Sequence, residues 1–132
     1  MLACEAVSRE KKRVLIADDS PSSRDLLRSI LEESNYIVAD AGDGEQLLRM
    51  VEGFGPHVVI LDLQMPKLDG YATVAALRRV SDLQRTPIIA LTAVITQTTP
   101  ERIFEAGFTA YLVKPVGPAR LRQCVAKVLG EA

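Results

Sequence analysis

The chain has 132 residues, 48% hydrophobic and 25% charged, with a net charge of −1. That is ordinary globular composition, enough for one domain with one core and too little for two. The balanced charge points to no direct nucleic-acid surface and no attraction to an anionic membrane, and no apolar run approaches the roughly 20 residues of a membrane span.

Residues 1–12 lack an apolar stretch of signal-peptide length and are expected to be a mobile lead-in to a single domain over 13–132. Cys4 and Cys124 lie far apart without metal-ligand spacing, so they are expected as reduced thiols of a cytoplasmic protein.

The first element is a short apolar strand, Arg13-Val14-Leu15-Ile16-Ala17, running into Asp18-Asp19. Ser20-Pro21-Ser22-Ser23 then starts a helix, because a cap-type residue followed by proline suits its first turn. Leu26, Leu27, Ile30 and Leu31 give that helix one buried face, and Asn35 ends it. Ile37 to Ala41 is a weaker strand and Gly42-Asp43-Gly44 a turn. A helix with Leu47, Leu48 and Val51 inward is closed by Gly53 and Gly55-Pro56.

Val58-Val59-Ile60-Leu61 is apolar throughout, the mark of a strand buried on both faces in a parallel sheet. It leads straight into Asp62, and Met65-Pro66 stops regular structure soon after. The loop then runs to Asp69-Gly70, a turn or cap signal, and the next helix has Val74 and Leu77 inward and Arg78-Arg79 near its end, where cations suit the helix dipole. Ile88 to Thr92 is a fourth buried strand. Thr99-Pro100-Glu101 caps a short helix to about Ala106, before Gly107. Tyr111-Leu112-Val113 is a brief fifth strand followed by Lys114-Pro115, and the last helix sets Leu121, Cys124, Val125, Val128 and Leu129 on one face. Strands alternating with helices predict an α/β, doubly wound fold with helices on both faces of a parallel sheet.

Four strands end in Asp18-Asp19, Asp62, Thr92 and Lys114. In a parallel sheet these ends share one edge, where ligands bind in open α/β folds. Three carboxylates in one cleft repel and need a cation. Oxygen-only ligation with open positions suits Mg²⁺, which favours phosphate partners. Lys114 and Thr92 could hold phosphoryl oxygens, and an aspartate can itself accept phosphate. Taken singly, Asp18-Asp19 reads as a helix cap, Thr92 as a strand-end hydroxyl bonded to backbone, and Lys114 as a solvated cation. It is their joint placement that points to chemistry.

These motifs resemble the receiver domain of two-component response regulators: Val14 through Ser20, Leu61-Asp62-Leu63-Gln64-Met65-Pro66 with Asp69-Gly70, Ile88 through Ala93, and Tyr111 through Pro115. The similarity runs from about Arg13 to Leu129. It implies a flavodoxin-like five-stranded parallel sheet of order 2-1-3-4-5. It implies Asp62 as phosphoacceptor, with Asp19, Asp62 and the backbone carbonyl of Gln64 as ligands of Mg²⁺ (Mn²⁺ as a substitute) and Asp18 acting through water. Lys114 would pair with the phosphoryl oxygens, Thr92 would be the switch hydroxyl and Tyr111 the aromatic that follows it inward. Lys114-Pro115 would be a cis peptide, Ala93 would leave room beside Asp62, and Gln64 and Val94 would tune hydrolysis.

The implied donor is a histidine kinase or histidine phosphotransfer protein. A protein partner would read a surface of helix 4, strand 5 and helix 5, on a monomer or a phosphorylation-dependent dimer. Such a domain catalyses its own phosphotransfer and slow autodephosphorylation rather than turnover of an external substrate. It occurs as a stand-alone regulator or as part of a hybrid kinase or longer regulator.

Two other readings are weaker. A hydrolase of the haloacid-dehalogenase kind resembles Asp-x-Asp, but the second position here is Gln64, which cannot move protons that way. A fold kept only for interaction would have lost an acidic or lysine position, and all are present. The run Val94-Ile95-Thr96-Gln97-Thr98 is unusually β-branched for a helix start and is expected as a long loop or as apolar residues packed on the domain or a partner. His57 is expected as a surface or strand-edge residue rather than a phosphoryl carrier, and Tyr71 as a partly buried aromatic.

Overall fold

The computed structural model describes residues 11–93 and 99–131. Cys4, the run from Val94 to Thr98 and most of the expected lead-in lie outside the described residues. Five strands, β1 (Arg13–Ala17), β2 (Ile37–Ala41), β3 (Val58–Asp62), β4 (Ile88–Thr92) and β5 (Ala110–Val113), form one parallel sheet in the order β2-β1-β3-β4-β5. Helices α1 (Pro21–Glu33), α2 (Gly44–Phe54), α3 (Gly70–Arg78), α4 (Pro100–Ala106) and α5 (Pro118–Val128) connect them.

Side-chain alternation along each strand divides the apolar residues between two cores. Val14, Ile16, Val58, Ile60, Ile89 and Leu91 pack under α1 and α5 with Leu27, Leu31, Leu121 and Val125. Leu15, Val59, Leu61, Ile88 and Ala90 pack on the other face with Leu47 and Val51 of α2, Val74 and Leu77 of α3 and Ile103 of α4. The central strands β3 and β4 are buried along their whole length, whereas edge strands β2 and β5 are only partly covered. That is why their sequence signals are weaker.

Local signals set most boundaries. The Ser20 hydroxyl caps α1 by accepting the Ser23 N–H, the Asp43 carboxylate caps α2 through Gln46, and Asp69 caps α3 through Ala72. Thr99 caps α4 and Gly107 ends it with φ of 117°. Asn35, two residues beyond α1, takes a left-handed φ of 71°. The expected turn at Gly42 to Gly44 is in fact the cap and first residue of α2. Gly53 does not close that helix but lies within it, and the stop falls at Gly55, whose φ is 63°. A 3₁₀ turn at Ser81–Leu83 was not anticipated.

Candidate functional site

The fold brings Asp18, Asp62 and Lys114 to the carboxyl edge of the sheet. Asp18 continues the alternation of Val14 and Ile16, Asp62 that of Val58 and Ile60, and Lys114 that of Leu112, so all three lean toward the α1–α5 side. The Lys114 ammonium lies 2.7 Å from Asp62 Oδ2 and 3.0 Å from Asp18 Oδ2, bridging the two carboxylates. Asp18 is fully buried and Asp62 nearly so. Asp19 is exposed, and one carboxylate oxygen from each of Asp18, Asp19 and Asp62 lies within 4.8 Å of the others. Such an all-oxygen cluster, with one ammonium against three carboxylates, suits a hard cation and could hold a metal ion.

Each carboxylate is held by its own loop. Asp18 Oδ1 accepts the Ser20 N–H at 3.0 Å and Oδ2 accepts the Ser23 hydroxyl at 2.6 Å. Asp62 Oδ1 accepts the Gln64 N–H at 2.9 Å. Burial pushes the Asp18 carboxyl up, but the Ser23 hydroxyl, the Ser20 N–H and Lys114 outweigh it and hold this acid below the ordinary range. Asp62 is held above that range: burial raises it, Asp18 adds repulsion, and the bonds from Lys114 and Gln64 only partly offset them. Burial lowers Lys114, but Asp62 and Asp18 more than compensate and keep it firmly protonated.

The other expected site residues take these places. Thr92 ends β4, is buried, and its carbonyl accepts the Lys114 N–H at 2.8 Å. Lys114-Pro115 is a cis peptide. Gln64 is exposed in the loop after β3. Tyr111 lies in β5, half-buried, with its ring 6.3 Å from that of Phe104 in an edge contact. Val94 falls outside the described residues. His57 precedes β3, where its Nδ1 accepts the Arg13 N–H at 2.9 Å. Tyr71 is half-buried, edge-on to Phe108 and under the Arg102 guanidinium.

Sequence reasoning missed the groups that hold Asp18 in place. Ser23 was read as part of a helix start. A first-turn side chain leans back toward the helix N-terminus, however, and so over the preceding loop. Arg24 was not singled out, yet its Nη1 donates to the Asp18 carbonyl at 2.6 Å.

Known proteins share this fold. Residues 14–126 match the family described as the response regulator receiver domain. A probable transcriptional regulator, ycf27, of Porphyridium aerugineum is 39% identical over 91% of this chain, which spans only 49% of that protein. This chain thus covers about half the length of such a regulator. The chemotaxis response regulator CheY4 of Vibrio cholerae superposes with a TM-score of 0.85 at 32% identity, covering 90% of this chain and 99% of its own. The receiver domain of sensor histidine kinase PA1611 of Pseudomonas aeruginosa, with a magnesium ion coordinated in its active-site cleft, gives a TM-score of 0.85 at 30% identity over 92% of this chain and 99% of its own. With the family match over most of its length and a sheet of the same order, the chain belongs to the response regulator receiver domains of two-component signalling.

Proposed function

We propose that this domain is a phosphoacceptor switch that takes a phosphoryl group from a phosphohistidine onto Asp62. The observation that carries the proposal is the Lys114 bridge, which aims an ammonium at Asp62 Oδ2 beside two further carboxylates. An Asp62 oxygen attacks phosphorus, the P–N bond breaks, and the imidazole leaves with the electron pair and takes a proton from solvent. The product is an aspartyl phosphate. Lys114, already held at the acceptor oxygen, pairs with the charge developing on the phosphoryl oxygens.

Asp19, Asp62 and the Gln64 carbonyl would hold Mg²⁺, with Asp18 acting through water and Mn²⁺ able to substitute. When bound, the ion neutralises charge between the carboxylates and the incoming phosphoryl group. Asp18 is suited to an indirect role, because Ser20, Ser23 and Lys114 already occupy its oxygens. The donor is a histidine kinase or histidine phosphotransfer protein.

The added charge is read by Thr92 and then Tyr111, biasing a two-state surface formed by α4, β5 and α5. Exposed Phe104 and Val113 support this reading. So does a groove of about 800 Å³ lined by Phe104, Tyr111, Arg120, Cys124 and Lys127, an apolar floor with a basic rim on which a protein partner would dock. Gln64 and Val94 would flank the phosphoryl group. An apolar Val94 cannot orient water, so the phosphorylated state should decay slowly, on a timescale well beyond that of fast chemotaxis regulators.

Intact mass after incubation with phosphoramidate tests the chemistry. A gain of one phosphoryl group with Mg²⁺, lost with chelator and in Asp62→Asn, is expected. Equal gain in Asp62→Asn would move the acceptor elsewhere and overturn the assignment.

A further inference from the structure

Asp18 is fixed at every polar atom. Its N–H donates to the Ala41 carbonyl at 3.2 Å, its carboxylate is held by Ser20, Ser23 and Lys114, and its carbonyl accepts Arg24 Nη1 at 2.6 Å. The Arg24 guanidinium is itself held from behind. Its Nε lies 4.0 Å from Asp40 Oδ2 near the end of β2, and Arg28 Nη1 lies 3.7 Å from the same oxygen. A methyl group on Gly42 would come within 3.4 Å of Arg24 Nη1, so the loop between β2 and α2 closes over the guanidinium.

The carbonyl that Arg24 grips belongs to the peptide joining Asp18 to Asp19. Fixing that plane fixes where the Asp19 backbone leaves it, and with it the reach of the one exposed carboxylate in the acid cluster. The preceding N–H of Asp18 is anchored on β2, and the carbonyl is anchored on α1 through Arg24.

We propose that Arg24 is a positioning residue for divalent cation binding: it orients the Asp18–Asp19 peptide so that Asp19 meets Asp62 at the distance a single ion requires. The proposal rests on the phosphoacceptor reading and assigns its metal site an outer support that the acid motif alone does not reveal. Groups that orient metal ligands from outside typically contribute 10–100-fold to affinity.

Charge gives the test a sign. Arg24 is a cation near the site, so deleting it by electrostatics alone would strengthen binding of a dication. Loss of a positioning contact weakens it. The full chain, stripped of metal by chelator, is titrated calorimetrically with Mg²⁺ as wild type, Arg24→Gln and Arg24→Lys. Circular dichroism and thermal midpoints in chelator report folding. Arg24→Gln is expected to raise the Mg²⁺ Kd about tenfold. Arg24→Lys keeps the charge but loses the planar fork, and is expected to raise the Kd severalfold.

A folded variant of either kind that binds Mg²⁺ as tightly as wild type, or more tightly, overturns the role of Arg24. If Arg24→Gln does not fold, Arg24→Lys decides alone by the same criterion. Wild type that binds no Mg²⁺ would instead remove the phosphoacceptor reading and this inference with it. That outcome is distinct from one in which wild type binds and the variants match it.

Discussion

Asp62 carries its charge in a place that disfavours charge. Its carboxyl is held above the ordinary range by burial and by Asp18, despite Lys114. An acid whose folded pKa exceeds its unfolded one binds more protons when folded, so stability falls as pH rises from the ordinary value of 3.8 through the folded value. At neutral pH the ionised side chain therefore opposes folding. Asp62→Asn, which removes the charge and keeps the shape, is expected to stabilise the domain by about 1 kcal/mol at pH 7, raising the thermal midpoint by roughly 3 °C. The gain should shrink toward zero as the pH is lowered through that window. Asp18 behaves oppositely: its lowered pKa contributes stability above the unfolded value that is lost as pH falls through the folded one. Thermal scans of both proteins from acidic to neutral pH check this, and a variant less stable than wild type at neutral pH would refute it.

The turn from β3 into α3 frames Asp62 tightly. Lys67 takes a left-handed φ of 68°, the Leu68 N–H turns back to the Pro66 carbonyl at 2.7 Å, and the Gly70 N–H reaches the Leu63 carbonyl at 3.0 Å. A methyl group on Gly70 would lie 2.6 Å from the Asp62 carbonyl oxygen and 2.7 Å from Leu63 Cα, both backbone atoms that cannot swing aside. Gly70→Ala is therefore expected to cost about 2 kcal/mol in urea denaturation and to slow phosphoryl transfer to Asp62, because the strand end must shift to admit the methyl. A variant with unaltered stability would mean that the turn is softer than this geometry implies. Asp69-Gly70 was legible as a turn or cap because both are local chemistry, and it is the cap of α3. The close approach that demands glycine was not, since it depends on where β3 ends in space. The same division holds elsewhere. β1, β3 and β4 could be read residue by residue from their β-branched runs, and α4 from its Thr99-Pro100-Glu101 cap. Gly53 misled, because an exposed glycine late in an amphipathic helix is tolerated when Leu47 and Val51 already anchor that helix.

For the whole molecule, the acid–lysine site was legible because a parallel sheet puts every strand's carboxyl end on one edge. Sequence patterns that locate strand ends thus locate a site that no local stretch contains. The tethers that hold the helices in place followed no such rule. Arg78 lies in the last turn of α3, where a cation suits the dipole, but that is not its whole role. Its Nε and Nη2 also reach the Gly107 carbonyl at 2.9 and 2.7 Å, and its Nη1 reaches the carbonyls of Leu83 and Thr86 at 2.7 Å each and of Gln84 at 3.3 Å. One guanidinium joins the end of α3, the 3₁₀ turn, the approach to β4 and the C-terminal stop of α4, with burial lowering its pKa. This helps a turn form at Ser81–Leu83 without a sequence signal of its own: the carbonyls of Leu83, at its end, and of Gln84, just beyond it, are gathered by a residue from the preceding helix. Arg78→Met keeps the stem and removes the donors to the Gly107, Leu83, Gln84 and Thr86 carbonyls, of which, among the described residues, Leu83 alone keeps a second bond, from the Thr86 N–H at 3.3 Å. It is expected to cost about 3 kcal/mol. Because Gly107 leads into the Thr109 N–H bond to the Ile88 carbonyl at 2.7 Å, amide exchange in the variant should quicken first at Thr109 and Phe108. The central amides of Val59 and Leu15 should keep their protection. If protection instead fell evenly across the sheet, Arg78 would be an ordinary contributor to global stability. Loss confined to the α4–β5 connection would identify it as the tether holding the C-terminal end of α4, from which the proposed switching surface of α4, β5 and α5 is built.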